Sequence, residues 1–296
     1  MYQAVRYQAS STGTWETASA FPHPRLRPGV IAYRGFRLAM ERPRRRWEAP
    51  VGVVTLVIGL GHRLRITGPT APPAMFEACL SGLHTRASLG EHDGRLHGIE
   101  VLLAPWTAFT LFGVPMHELA DRTVDPGDLL GRRFAQLTEA LSATPSWGRR
   151  FALLDAVLLN WSSSGPTSSP RIATAWAQLC RTEGTMPVRQ LATDVGWGVR
   201  QLENRFREQI GLGPKAAARV LRLQHALRLL AAGLPAARTA AVCGFYDQAH
   251  FNGEFKTMTG RTPRAFVAER AGLRAIAGPP TVDRLAGEVT SVVLAG

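Results

Sequence analysis

Two stretches decide how this chain is read: LATDVGWGVRQLENRFREQIGLGPK at residues 191–215 and AAVCGFYDQAHFNGEFKTMTGRTPRAF at residues 240–266. Leu202, Phe206, Gly211 and Pro214 of the first recur as Phe251, Phe255, Gly260 and Pro263 of the second, each pair 49 positions apart (251 − 202). Both sets follow a glycine, Gly196 or Gly244, so one small unit is present twice. Each copy reads as helix, turn, helix. Val188, Leu191, Ala192 and Val195 repeat at helical spacing before the first turn; Leu202 and Phe206 sit four apart after it, and Gly211 ends the second helix. The apolar face has to be buried. The other face carries Arg200, Gln201, Glu203, Asn204 and Arg207 in the first copy, and Gln248, His250, Asn252 and Lys256 in the second. Such side chains suit a helix lying in a major groove, because Asn and Gln pair with base edges while Arg and Lys meet phosphates. A solvated helix face is the alternative, and its weight falls when the pattern occurs twice in tandem. Between the copies, Val220, Leu223, Leu227 and Leu230 place one continuous helix over Pro214 to Ala232. That helix fixes the two recognition helices for successive grooves about 34 Å apart.

Residues 171–270 resemble the DNA-binding domain of AraC/XylS-type bacterial transcription regulators, most specifically in CGF, DQAHF, the following Phe-Lys, then G-x-TP and an aromatic. The resemblance implies base or backbone contacts from Arg200, Gln201, Glu203 and Asn204, and from Gln248, His250 and Asn252. Two positions depart from the pattern. Gly253 stands where a polar residue is usual, which weakens the helix by roughly 1 kcal/mol relative to Ala. Gly198 replaces a Ser or Thr N-cap. The segment from GLHTRASLGEHDGRLHGIEVLLAPWTAFTLFGVP to ELADRTVDPGDLLG resembles an actinobacterial N-terminal domain of no assigned function found on members of this family.

Charge agrees with a polyanionic partner. The 296 residues hold 35 Lys and Arg against 22 Asp and Glu, a net +13. Residues 171–296 hold 17 basic and 9 acidic residues, net +8, leaving +5 for residues 1–170. Basic balance favours DNA through counterion release, although an Arg-rich composition also follows genome bias. Three separated cysteines, Cys79, Cys180 and Cys243, make neither a disulfide framework nor a zinc knuckle. The start of the chain lacks an apolar core of a signal peptide, and the longest apolar run, Val51 to Leu60, is half of the roughly 20 residues of a membrane span. A cytoplasmic, nucleoid-associated protein without membrane contact is expected.

Residues 1–161 are expected to form an α+β sensor-like domain, and residues 171–274 an all-α domain with tandem helix-turn-helix motifs. SSSGPTSSP, residues 162–170, reads as a linker, and 275–296 as a C-terminal extension whose VTSVVLAG could add an edge strand. VIAYRGFRL, VGVVTLVIGL, HRLRI and LHGIEVLL read as strands; helices follow at WTAFTLFG, after Pro115, at RRFAQLTEALS and at SWGRRFALLDAVLLNW. His92, Asp93 and Gly94 read as a hairpin turn. The run RPRRR, residues 42–46, reads as a solvated loop that could instead touch DNA or acidic partners. Trp106, Phe109 and Phe112 are either core or the lining of a ligand pocket, and Arg86 is the candidate contact for an anionic ligand. His62, His84, His92, His97 and His117 lack metal-ligand spacing, so no cofactor is expected. No nucleophile elbow, phosphate-binding lysine motif or dinucleotide-binding fingerprint occurs, which argues against an enzyme. The expectation is a sequence-specific DNA-binding transcription regulator, modulated by a small molecule or by self-association as a homodimer, with RNA polymerase as a further partner. An architectural DNA binder without an effector, or an N-terminal enzyme fused to a DNA-binding module, are the alternatives.

Overall fold

The computed structural model describes residues 3–10, 13–269, 284–285, 288–289 and 291–294. Its N-terminal part is built on β1 (Gln3–Ser10), β2 (Gly13–Ala20), β3 (Val30–Met40), β4 (Arg44–Glu48), β5 (Val54–Gly59), β6 (Leu64–Thr67), β7 (Ala74–Phe76), β8 (Ala78–Ser81), β9 (Ser88–His92), β10 (Arg95–Leu103) and the two-residue β11 (Thr123–Val124). Near the C-terminus follow β12 (Arg284–Leu285), β13 (Glu288–Val289) and β14 (Ser291–Leu294). One sheet has the order β1-β2-β3-β10-β5-β8-β11, the other β14-β4-β9-β6-β7, and β12 and β13 form a separate ribbon. Consecutive strands β3 and β4, β5 and β6, β7 and β8, and β9 and β10 each put one member in either sheet, in matching order. The two sheets are therefore the halves of four strands that bend across a common crease.

Close backbone approach makes the crease possible only where side chains are absent. A Cβ on Gly59 would lie 2.1 Å from the Glu77 carbonyl oxygen, and Gly94, at φ +103°, would meet the Met40 carbonyl at 2.6 Å. The expected hairpin at His92, Asp93 and Gly94 is not one. β9 pairs β4 while β10 pairs β3 and β5, so these residues carry a strand from one sheet into the other. The turn chemistry that suggested a hairpin is present, since Asp93 Oδ1 accepts from Arg95 N at 2.9 Å, but it serves the corner. The run read as a solvated loop is likewise a strand from Arg44 onward. Arg45 pairs with Glu91 at 3.0 Å and Arg46 with Glu48 at 2.7 Å, which lets an arginine-rich segment join a sheet.

Helices cover the first sheet: α1 (Pro105–Phe112), the short α2 (Pro126–Leu130), α3 (Arg132–Ala143) and α4 (Trp147–Ser164). The period read for the last places Phe151, Leu154, Leu158 and Trp161 in the core. At Gly35 a Cβ would fall 2.4 Å from the Trp147 ring, so the helix lies directly on the strand. Tyr33, fully buried, stacks on Phe151 and donates to Asp155 Oδ1 at 2.9 Å. The linker expectation needs shortening: α4 takes residues up to Ser164, because Ser163 and Ser164 hydroxyls bond back to the Asn160 carbonyl, and Pro170 opens the next helix. The edge strand expected in the tail is present as β14, which pairs with β4. Of the extension at 275–296, residues 275–283, 286–287, 290 and 295–296 lie outside the described residues.

The helical part follows as α5 (Pro170–Arg181), α6 (Val188–Asp194), α7 (Val199–Ile210), α8 (Pro214–Ala231), α9 (Ala236–Val242) and α10 (Gln248–Thr259). An α+β domain thus precedes an all-α domain, as read from the sequence. Their cores are continuous, with Trp47, Met116, Phe206, Phe255 and Phe266 all in one buried cluster. The seam has two grips. The Met116 carbonyl sits against Gly211 at the end of α7, 2.9 Å from where a Cβ would stand. At the end of α10, Ala87 N donates to the Met258 carbonyl at 2.8 Å and Trp47 Nε1 to the Thr259 carbonyl at 3.0 Å. The Trp47 ring also packs on Phe266 at 6.2 Å. Between these, Gly52 N donates to Gln224 Oε1 of α8 at 3.2 Å.

Trp47→Phe keeps an aromatic ring, though a smaller one, and removes the donor, leaving a buried carbonyl without that partner at a cost of about 1–3 kcal/mol. Hydrogen exchange should then quicken in the last turn of α10 while α7 amides keep their protection; equal loosening of both helices would show that the bond is not local in effect.

A buried polar group beneath α4 gives the N-terminal domain a pH dependence. Arg150, 4% exposed, donates from Nε to the Leu141 carbonyl at 3.1 Å, reaches His97 Nε2 at 3.2 Å and lies over the Trp147 ring. Trp147 Nε1 in turn donates to Glu16 at 2.6 Å. Burial, and then the cations of Arg37 and Arg150, push the His97 imidazole down to about 4. The unfolded chain takes up that proton first, near 6.5. Stability from His97 is therefore present above pH 6.5 and is lost as the pH falls towards 4. Thermal unfolding of His97→Gln should show a flatter pH profile across that window than the parent; parallel profiles would exclude His97 as the titrating group.

Candidate nucleic-acid interface

The repeat read from two helices per copy extends to three. Helices α5, α6 and α7 form one unit and α8, α9 and α10 the other, so the connecting helix is also the first helix of the second unit. Each turn depends on a left-handed glycine, Gly196 at φ +68° and Gly244 at φ +70°. The same bond closes both: Trp197 N to the Ala192 carbonyl at 2.9 Å and Phe245 N to the Ala240 carbonyl at 3.0 Å. Leu202 and Phe206 are fully buried, as are Phe251 and, at 1% exposure, Phe255. Burying such side chains stabilises by roughly 1.5–3 kcal/mol each and fixes which face of α7 and α10 remains outside.

That outer face carries the residues expected there. Arg200, Gln201, Glu203, Asn204 and Arg207 of α7 are exposed, as are Gln248, His250 and Lys256 of α10, while Asn252 is half-buried. On α7 an open groove is lined by Gly198, Arg200, Gln201, Asn204, Arg205 and Glu208. Arg205 and Glu208 pair at 2.8 Å, one turn apart. The helix starts differ. Gly198 gives α7 no side-chain cap, whereas Asp247 Oδ1 accepts from His250 N at 2.7 Å and caps α10. Within the second unit Arg219 of α8 makes a bidentate pair with Glu254 of α10 at 2.8 and 3.1 Å, and across the units Glu183 pairs with Arg228 of α8 and lies against the His225 imidazole.

The structure adds exposed residues that the motif reading passed over. Tyr246, at the turn before α10, is 92% exposed, and Val199 opens α7 at 38%. An exposed aromatic directly before a capped helix was readable in GFYDQ, but the repeat has no aromatic at its other copy to flag it. The two weaker candidates lie apart from this face. Arg86 is exposed in the loop whose next residue, Ala87, bonds to the end of α10; Trp106 is half-buried on α1, beside Gly29, while Phe109 and Phe112 are core. Helix α1 itself contacts α7. Among the described residues no group of His, Cys, Asp and Glu is placed to hold a metal ion, and no helix is long and apolar enough to cross a membrane.

A Cβ at Gly253 would meet nothing within 4 Å. Gly253→Ala should therefore raise stability by up to about 1 kcal/mol through helix propensity alone. Thermal denaturation tests this; an unchanged or lower Tm would show that α10 needs the glycine for a reason other than space.

Residues 191–269 match the family described as a helix-turn-helix domain. None of the curated proteins matches the sequence. Among solved structures, a transcriptional regulator with an AraC-type DNA-binding domain from Chromobacterium violaceum is 28% identical over 37% of this chain and 96% of its own, with a TM-score of 0.33. ToxT from Vibrio cholerae O395, bound to (E)-4-(8-methylnaphthalen-1-yl)but-3-enoic acid, is 9% identical over 77% of this chain and 97% of its own, with a TM-score of 0.46. ToxT from V. cholerae strain SCE256, bound to an unsaturated fatty acid, is 8% identical over 88% and 96%, with a TM-score of 0.42. The matched segment begins inside α6 and takes in α7 to α10, and the chain is a DNA-binding transcription regulator.

Proposed function

We propose that this DNA-binding transcription regulator reads two half-sites of one operator with α7 and α10. The observation that carries the reading is the pair of exposed polar faces on two repeated units that share the continuous helix α8. In this reading Arg200, Gln201, Glu203 and Asn204 face bases or backbone in one groove and Arg207 a phosphate; Gln248, His250 and Asn252 take the next groove, with Lys256 on its backbone. The DNA-binding unit runs from Pro170 through α10, and the regulatory domain runs through Ser164, with β14 added to its sheet. The motif likeness of the latter to an actinobacterial domain supports a regulatory role without naming a ligand.

Regulation in this scheme works through the seam. Arg86 stands beside the bond from Ala87 to Met258, and Trp106 stands on the helix that contacts α7. A small anionic or aromatic effector held by either residue would favour one setting of the recognition helices over another, and a coupling of about 1–3 kcal/mol would suffice. Self-association as a homodimer is the second route, and the edge of β1, where Val5 and Tyr7 are exposed, is its candidate surface. RNA polymerase is the partner through which the bound regulator acts, in the cytoplasm, at the chromosome.

Selection of bound fragments from random DNA by the full-length protein tests the reading. A motif of two blocks about one helical turn apart is expected. Arg200→Ala should weaken the selected site about 5- to 150-fold, the equivalent of roughly 1–3 kcal/mol, and relax preference at one base pair. Replacing Gln248 and Asn252 together should erase the second block. Binding without any enriched block would make the protein an architectural DNA binder instead.

A further inference from the structure

In both repeated units an arginine from the first helix lies over the aromatic residue that follows the turn glycine. The Arg171 guanidinium sits 5.6 Å from the Trp197 ring centroid, and the Arg222 guanidinium 5.4 Å from that of Phe245. Neither arginine belongs to a recognition helix or to the motif segments that flagged the repeat. The recurrence identifies the stack as a way of holding the turn, and hence the start of the helix after it. The two copies then differ in what the guanidinium has left to offer. Arg222 is half-buried, and its Nε is enclosed without a hydrogen-bond partner. Arg171 is exposed, and one of its five donors, on Nη1, reaches the Gly196 carbonyl at 3.3 Å. The stack and that bond hold the guanidinium plane at the turn, two residues before Gly198, where α7 begins.

We propose that Arg171 is a further DNA contact of this regulator: a phosphate-binding residue outside both recognition helices, held ready on Trp197. The inference rests on α7 entering the major groove by its N-terminal residues, because the strand that borders the start of such a helix presents its phosphates beside the turn. A guanidinium already fixed by a ring and a carbonyl gives up little rotamer freedom on meeting a phosphate, and its planar edge matches phosphate oxygens. Such a contact positions α7 without reading sequence. Arg222 performs the holding function alone, which makes it the internal control.

The test is the salt dependence of binding, measured for the selected operator and for an unrelated duplex of the same length. Arg171→Met should weaken both duplexes by the same factor, and the slope of log K against log salt should become shallower by about 0.9, the value of one phosphate contact. Arg171→Lys, which keeps the charge and loses the planar stack, should keep the slope. Arg222→Met should keep the slope too, even if it lowers affinity by loosening its turn. The proposal is overturned if Arg171→Met retains the full slope, if Arg171→Lys behaves like Arg171→Met, or if Arg222→Met shifts the slope equally. Absence of salt-dependent binding by the parent protein to any duplex would remove the reading of α7 itself, and Arg171 with it.

Discussion

The last turn of α10 leaves carbonyls that its own helix cannot satisfy, and two of them take their donors from the other domain. Trp47 Nε1 reaches the Thr259 carbonyl and Ala87 N the Met258 carbonyl. A helix end that is completed by a second domain ties the stability of one to the position of the other. The same strand, β4, brings Trp47 to that place by setting its arginines in ion pairs with Glu91 and Glu48, so the charged run at 42–46 and the seam are one construction. At the other recognition helix the contact is steric: Gly211 admits the Met116 carbonyl because it has no side chain. Both grips fall at the C-terminal ends of α7 and α10. The opposite ends, where the exposed polar residues begin, stay open.

The helical domain was legible because its signals are local and doubled. Four apolar or turn residues at one offset set the period, the turn glycines and the buried face together, and the structure places Leu202, Phe206, Phe251 and Phe255 in the core accordingly. What escaped was long-range. That α8 opens the second unit depends on packing between helices, which spacing within α8 does not encode. The strands at 3–10 and 13–20, rich in Gln, Ser, Thr and Ala, form an edge ribbon with little apolar alternation. In β4 a single tryptophan among arginines carries the burial, and only its partners across the sheet explain it. The corner at Asp93 and Gly94 shows a limit of turn chemistry: the residues specify a sharp local bend, while the neighbouring strands decide whether the bend returns or passes onward.

The candidate site divides in the same way. Which residues of α7 and α10 are exposed followed from the helical period, with Asn252 alone half-covered. Of the inequality of the two helix starts, the missing cap at Gly198 was read from the sequence and the Asp247 cap of α10 was not. Asp247 places a carboxylate on the first turn of α10, and that charge opposes a phosphate there, whereas α7 starts at an uncapped glycine with Arg171 beside it. On the proposed reading, the first unit would make the closer backbone contact of the two.

Because α8 is at once the bridge and the first helix of the second unit, only residues 211–213 separate α7 from the second unit. Arg219 on Glu254, and Arg228 with His225 on Glu183, brace that helix at both ends. In the proposed reading of two half-sites, α8 would set the distance and phase between the units. One base pair added between half-sites turns the second by about 34–36°, given 10–10.5 base pairs per helical turn. A rigid reader meets that change by leaving one half-site or by making the duplex twist and bend to restore the phase. In that reading, tolerance for imperfect spacing would reside in the spacer DNA, where soft pyrimidine–purine steps deform at least cost. Sequence that no side chain touches would, by that route, rank the promoters this protein occupies.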